Sequence, residues 1–191
     1  MECAEKSKFA LLGTMIFSGW TIAALIVPRL ADLYGRKLVF LINMSVQFVA
    51  ILFMIFTKNY YVMLVALFVV GMCSSARWTV SYVYLMEFLT EDKIKCVGPF
   101  VNASAALAFV IGAFILQFIT KNAVALEYTA AAISIITVLS TIFLLPESPK
   151  WLVNQDQIQE ATKAYAYIAK VNGRVEATEQ LESWKFKQQT A

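Results

Sequence analysis

Long uncharged runs alternate with short charged stretches along this chain. Residues 9–28 and 38–57 contain no Asp, Glu, Lys or Arg. Each run is about the ~20 residues that a helix needs to cross a ~30 Å hydrocarbon core. Between them lies a knot of charge running from Arg29 to Lys37. Its residues 32–37 read as a tight hairpin at one membrane face, and Gly35 suits a turn that needs positive φ. Further spans are expected over residues 62–88, 97–120 and 128–145, the last stopped by Pro146. This leaves residues 1–8 as a short extracellular tail and residues 146–191 as a cytoplasmic helical segment.

Within the runs, residue type predicts packing. Gly13, Gly19, Ser18, Ala23 and Ala24 let the first span approach a neighbouring helix closely. Asn43 and Gln47, four residues apart on the second span, read as an interhelical hydrogen-bonding face. The third span is uncharged from Val62 to Ala76 and then carries Arg77, Trp78, Ser81, Tyr82, Tyr84 and Glu87. Charges inside a span are costly and face a bundle interior or an aqueous cavity. Trp78 and Tyr82 share one helical face, with Arg77 one position round. That face reads either as the lining of a cavity for an organic ligand, held by stacking and cation–π contact, or as a packed aromatic stripe with Arg77 snorkelling. Past Pro146 the pattern changes. Ile158, Ala161, Tyr165 and Ile168 fall at helical spacing, which predicts an amphipathic helix over residues 155–171 closed by Asn172-Gly173. A second short helix is expected over residues 176–187.

Composition agrees with a membrane protein and narrows its chemistry. Of 191 residues, 60% are hydrophobic and 15% charged, against about 45–50% and 25% in soluble domains. A net charge of +3, scattered along the chain, points away from nucleic acid. There is no histidine, so the usual general base and the commonest metal ligand are missing. Cys3, Cys73 and Cys96 have no metal-ligand spacing. Cys73 and Cys96 read as small apolar residues, and Cys3 as one half of a disulfide whose partner lies elsewhere. With no nucleophile–base pairing and no Gly-rich phosphate loop, an enzyme is not expected, nor a metal or cofactor. The basic residues Arg29, Arg36, Lys37, Lys93, Lys95 and Lys150 place the 32–37 hairpin on the cytoplasmic side. Five spans then put the N-terminus outside without a signal peptide, which implies a further span upstream.

Two loop segments carry a resemblance. Leu30-Ala31-Asp32-Leu33-Tyr34-Gly35-Arg36-Lys37 resembles the loop motif between the second and third helices of the major facilitator superfamily, with Pro28 where the motif has its first glycine. Pro146-Glu147-Ser148-Pro149-Lys150-Trp151-Leu152 is similar to the Pro-Glu-Ser-Pro-Arg-Trp-Leu that ends the sixth helix in sugar porters and organic ion transporters, with Lys150 in place of arginine. The segment from Glu160 to Gly173, and Trp78 and Tyr82 with Glu87-Phe88, resemble the organic cation, carnitine and anion transporter family. The resemblance implies an all-α, polytopic membrane helix bundle. This bundle is an incomplete N-terminal half of a major facilitator fold, with helices two to six followed by cytoplasmic helices at the C-terminal end. It also implies that the first helix and the second half belong to a longer transporter.

By the same resemblance, Asp32, Gly35, Arg36, Lys37, Glu87, Glu147 and Lys150 form a cytoplasmic gating network, while Trp78 and Tyr82, with Arg77 beside them, contact substrate. The implied function is alternating-access transport of small organic ions, carnitine-like cations first, in a lipid bilayer and by family analogy in the plasma membrane. A sugar or other polar solute is the near alternative. A non-transporting structural membrane subunit is the alternative from a different class.

Overall fold

The computed structural model describes residues 6–89, 91–119 and 123–173. The expected disulfide half Cys3 and the helix expected over residues 176–187 lie outside the described residues, as does most of the N-terminal tail. Every regular element among the described residues is helical. Helix α1 is Lys6–Tyr34, α2 Arg36–Phe56, α3 Tyr60–Glu87 and α4 Glu91–Phe114, the last running into a π-helical turn, Ile115–Ile119. Helix α5 is Ala123–Leu144, and two short helices follow, α6 Pro149–Asn154 and α7 Ile158–Val171. The first five are long and apolar enough to cross a membrane.

The hairpin expected over residues 32–37 is tighter than the charge pattern suggests. α1 continues through Tyr34 and α2 begins at Arg36, so Gly35 alone makes the turn. Its φ of 101° and ψ of 149° belong to a region open essentially to glycine. The polar side chains of Asp32 and Tyr34 do not end the helix, because a helix leaving the hydrocarbon can carry charge in its last turn. At the other end of the chain, residues 155–157 form a turn with Asp156 at positive φ, and the amphipathic helix starts at Ile158.

α1 and α3 pack most closely. A Cβ at Gly19 would lie 2.2 Å from the Phe68 carbonyl oxygen, and one at Gly71 would lie 2.2 Å from that of Ile16. Small residues at a helix crossing let the backbones meet, which substitutes for the hydrophobic drive that lipid cannot supply. Toward the Gly35 end of the bundle the same crossing is filled by Ala23, Val27 and Ala31 of α1 and Ala76 and Val80 of α3, with Val39, Phe40 and Met44 of α2 completing the core. α2 also packs on α5. α4 stands apart, and no residue of its most apolar window is buried among the described residues.

The polar face expected on α2 is resolved differently at its two positions. Asn43 donates to the Val39 carbonyl of its own helix at 2.8 Å, so its amide turns inward along α2 instead of bridging to a neighbour. Gln47 is buried, and its Oε1 has no hydrogen-bond partner among the described residues. Cys73 is buried, as a small apolar residue would be, whereas Cys96 near the start of α4 is exposed.

Candidate functional site

At the Gly35 end of the bundle, called the inner face after the side expected for it, the charged residues converge. Arg36, in the first turn of α2, places Nη2 2.8 Å from Asp32 Oδ1 and 3.1 Å from Glu87 Oε1, and donates from Nε to the same Glu87 oxygen at 3.1 Å. Its Nη1 donates to the Ala31 carbonyl, an acceptor at the inner end of α1. The pairing with Glu87 is the shielded one, with side chains 11% and 14% exposed, while Asp32 is 69% exposed. Exposed pairs contribute little, and losing one partner of a shielded pair strands the other charge, so Glu87 is the partner of Arg36 that matters, adding a charged link to the apolar packing of α2 on α3. The second oxygen of Glu87 is buried without a partner among the described residues.

Glu147 joins the same cluster from the turn after α5. Its Oε1 accepts from the Lys37 N–H at 2.9 Å and from the Ser148 N–H at 2.9 Å. An anion there satisfies an orphan donor at the start of α2 and sits at the positive end of that helix's dipole. The other Glu147 oxygen occupies the space beside Gly35, 2.7 Å from where a Cβ would stand. Lys37 itself uses its backbone here, and its ammonium reaches the Ile142 carbonyl at 3.4 Å. Six of the seven expected network residues therefore meet. Lys150 does not join them. Pro149 and Leu152 are the buried residues of α6, and Lys150, roughly 100° round the helix from Pro149, faces solvent with no ion pair to a described residue.

Three further residues hold this cluster, and no charge pattern reveals them. The Tyr84 hydroxyl donates to the Pro146 carbonyl. The Trp151 indole N–H donates to the Asp32 carbonyl at 2.8 Å. Ser148, fully buried, caps α6 by accepting from the Trp151 N–H. Together they bind the 146–151 turn to α1 and α3, while Glu147 binds it to α2. The resemblance quotes Ser148 and Trp151 as part of the motif but says nothing of what they bond.

Outward of the network lies a cavity of about 600 Å³. Phe40, Trp78, Tyr82, Tyr84 and Phe88 give it aromatic walls, α5 contributes Thr137, Ser140 and Thr141, and Val101 borders it from α4. The Tyr82 hydroxyl lies 3.0 Å from where a Cβ at Gly98 would stand, so Gly98 is where α4 comes near α3. No charged side chain lines the cavity among the described residues. Each Ser and Thr hydroxyl in it donates to a carbonyl of its own helix: Ser81 to Arg77, Thr137 to Ile133, Ser140 to Ile136 and Thr141 to Thr137. The hydroxyl proton is thereby used, which leaves these oxygens as acceptors only. Arg77 is exposed beside Trp78 but is not part of the lining, and its guanidinium pairs with no described carboxylate.

A family model described as "Sugar (and other) transporter" matches residues 2–190. Among similar proteins, rat (Rattus norvegicus) solute carrier family 22 member 2 is 30% identical over 177 residues, covering 91% of this chain and 31% of the rat protein. The human (Homo sapiens) protein of the same name is 28% identical over 179 residues, with the same shares covered. Mouse (Mus musculus) organic cation/carnitine transporter 2 is 26% identical over 177 residues, covering 92% of this chain and 31% of its own. The chain thus spans about a third of the length of the curated relatives that it matches.

Proposed function

Since the chain belongs to the sugar (and other) transporter family of the major facilitator superfamily, we propose that it forms part of a secondary transporter that moves small organic cations, carnitine-like solutes among them, across a membrane by alternating access. The observation that carries this reading is the lining of the 600 Å³ cavity. Aromatic faces attract an ammonium group, and hydroxyl oxygens whose protons are already donated offer it only lone pairs. No charged side chain lines the cavity itself, although the Arg77 guanidinium beside Trp78 works against a cation. Trp78 and Tyr82 are the proposed contacts, with Arg77 at the margin. Its guanidinium lies on the same helix turn as Trp78, and no described carboxylate pairs with it, Glu87 of the same helix being taken by Arg36.

The inner network supports the same reading. In a two-half transporter the site sits near the midplane and the halves rock around it. Arg36, Glu87, Asp32 and Glu147 would hold this half in one of its positions, and loosening them would accompany the other. The names of the curated relatives and the five spans support an integral multi-pass location, and the plasma membrane is the proposed one.

The test is uptake by the complete polypeptide that contains this chain. A labelled quaternary ammonium should accumulate, excess unlabelled ammonium should compete, and excess hexose should not. Uptake of hexose that ammonium leaves untouched would overturn the cation reading in favour of a sugar porter.

A further inference from the structure

Two residues of the proposed substrate cavity also line a second one. This second cavity, of about 790 Å³, lies at the inner ends of α3 and α5 beside α7, where Lys93, Tyr167 and Asn172 give it polar lining. Phe88 and Leu145 border both spaces. They stand where the two spaces meet, with the charge-free lining on one side and the lining that includes Lys93 on the other. Neither takes part in the charged network.

Their positions are held by one residue. Phe88 ends α3, with φ and ψ of −86° and −13° and its N–H bonded back to the Leu85 and Met86 carbonyls. Its ring stands edge-on to that of Tyr84, with centroids 5.1 Å apart and planes at 83°. The Tyr84 hydroxyl is bonded to the carbonyl of Pro146, the residue after Leu145. Tyr84 thus sets Phe88 with its ring and the chain beside Leu145 with its hydroxyl. The side chains of Phe88 and Leu145 are apolar, and moving them breaks no hydrogen bond of their own.

We propose that Phe88 and Leu145 form the inner door of this half, separating the ligand chamber from the cytosol-side vestibule, with Tyr84 as its post. What passes through the door rests on the transport reading above, but the door itself concerns access alone. Phe88→Ala removes the ring and opens the passage. Phe88→Trp fills it further, and Leu145→Ala opens it from the other side.

The experiment uses the complete polypeptide in a cysteine-free background, with Ser140→Cys placed in the chamber or Asn172→Cys in the vestibule. Inside-out membrane vesicles are treated with a membrane-impermeant, positively charged methanethiosulfonate. With Phe88 present, the vestibule thiol should react quickly and the chamber thiol slowly. Phe88→Ala or Leu145→Ala should speed the chamber thiol about tenfold, the change given by a barrier ~1.4 kcal/mol lower. Phe88→Trp should slow it, and the vestibule thiol should keep its rate in every variant. A chamber rate unchanged across all three variants overturns the proposal, as does a chamber thiol that reacts as fast as the vestibule thiol with Phe88 in place. Changed access in a protein that takes up no organic cation keeps the door and overturns the transport reading. Cation uptake with unchanged access does the reverse.

Discussion

Gly19 of α1 and Gly71 of α3 are reciprocal contacts: each lets the other helix's carbonyl, Ile16 for Gly71 and Phe68 for Gly19, come to where a side chain would begin. At 2.2 Å the obstacle on each side is backbone, which cannot turn away as a side chain can. Gly71→Ala, or Gly19→Ala, should therefore separate the two helices and cost about 1–3 kcal/mol, the range for overpacking a tight contact. Thermal unfolding of the purified complete polypeptide in detergent checks this. Gly112→Ala, where a Cβ meets nothing, is the control and should leave the midpoint unchanged.

Arg36→Ala should be the most damaging change in the inner network. It strands the Glu87 carboxylate, already lacking a partner for one oxygen among the described residues, in a shielded place. Removing one partner of such a pair costs about 3 kcal/mol or more. Arg36→Ala with Glu87→Gln should then be milder than the two single losses added together. A double-mutant cycle on unfolding midpoints reads the difference.

Gly35→Ala meets two separate obstacles, the φ of 101° and the Glu147 carboxylate. Glu147→Ala removes the second but also takes away the acceptor of the Lys37 and Ser148 N–H groups. The double variant should therefore lose less than the two single changes added together, the shortfall being the steric part, while the about 1–3 kcal/mol cost of a non-glycine residue in that backbone region stays. Losses that simply add would mean that the backbone angle alone dictates glycine there.

Lys150→Ala should change stability by less than about 0.5 kcal/mol, as exposed positions without partners do. The same unfolding measurement serves, and uptake should match that of the unaltered protein.

For the cavity, a quaternary ammonium should bind more weakly in the order Trp, Phe, Ala at position 78, because the indole face attracts a cation most strongly. Trp78→Ala should raise the KM about tenfold, with Trp78→Phe between. Saturation curves for uptake, normalised to protein at the membrane, give the ordering. An order that follows side-chain volume for a neutral solute equally well would remove the cation from the account.

The five spans are legible because lipid imposes a coarse rule: a stretch of about twenty residues either carries charge or does not. The α1/α3 crossing is legible on one side only. Gly19 stands among other small residues in the first span, but nothing marks Gly71 as its counterpart until the two helices are set together. The hidden contacts of the inner face are long-range. Tyr84 meets Pro146 across 62 residues and Trp151 meets Asp32 across 119, and each uses a backbone carbonyl that any residue could have supplied. Lys150 shows the opposite case. Its place in a charged motif suggests partnership, but the buried pair Pro149 and Leu152 turns it outward. The end of α1 is legible at Gly35, the residue suited to positive φ, and only the tightness of the turn is hidden by the charges around it.

The Glu147 carboxylate caps α2 from 110 residues further along the chain. At about 5–20 residues per second, the ribosome delivers that cap on the order of ten seconds after the helix it serves. During that interval the α1–α2 hairpin stands with Lys37's amide uncapped by Glu147 and Asp32's carbonyl unclaimed by the Trp151 indole, while Glu87, only 51 residues after Arg36, arrives in less than half the time. The fastening by the 146–151 turn therefore follows the helices it joins, and a chain halted before that turn presents the membrane with helices held by Arg36 but not yet by Glu147 and Trp151.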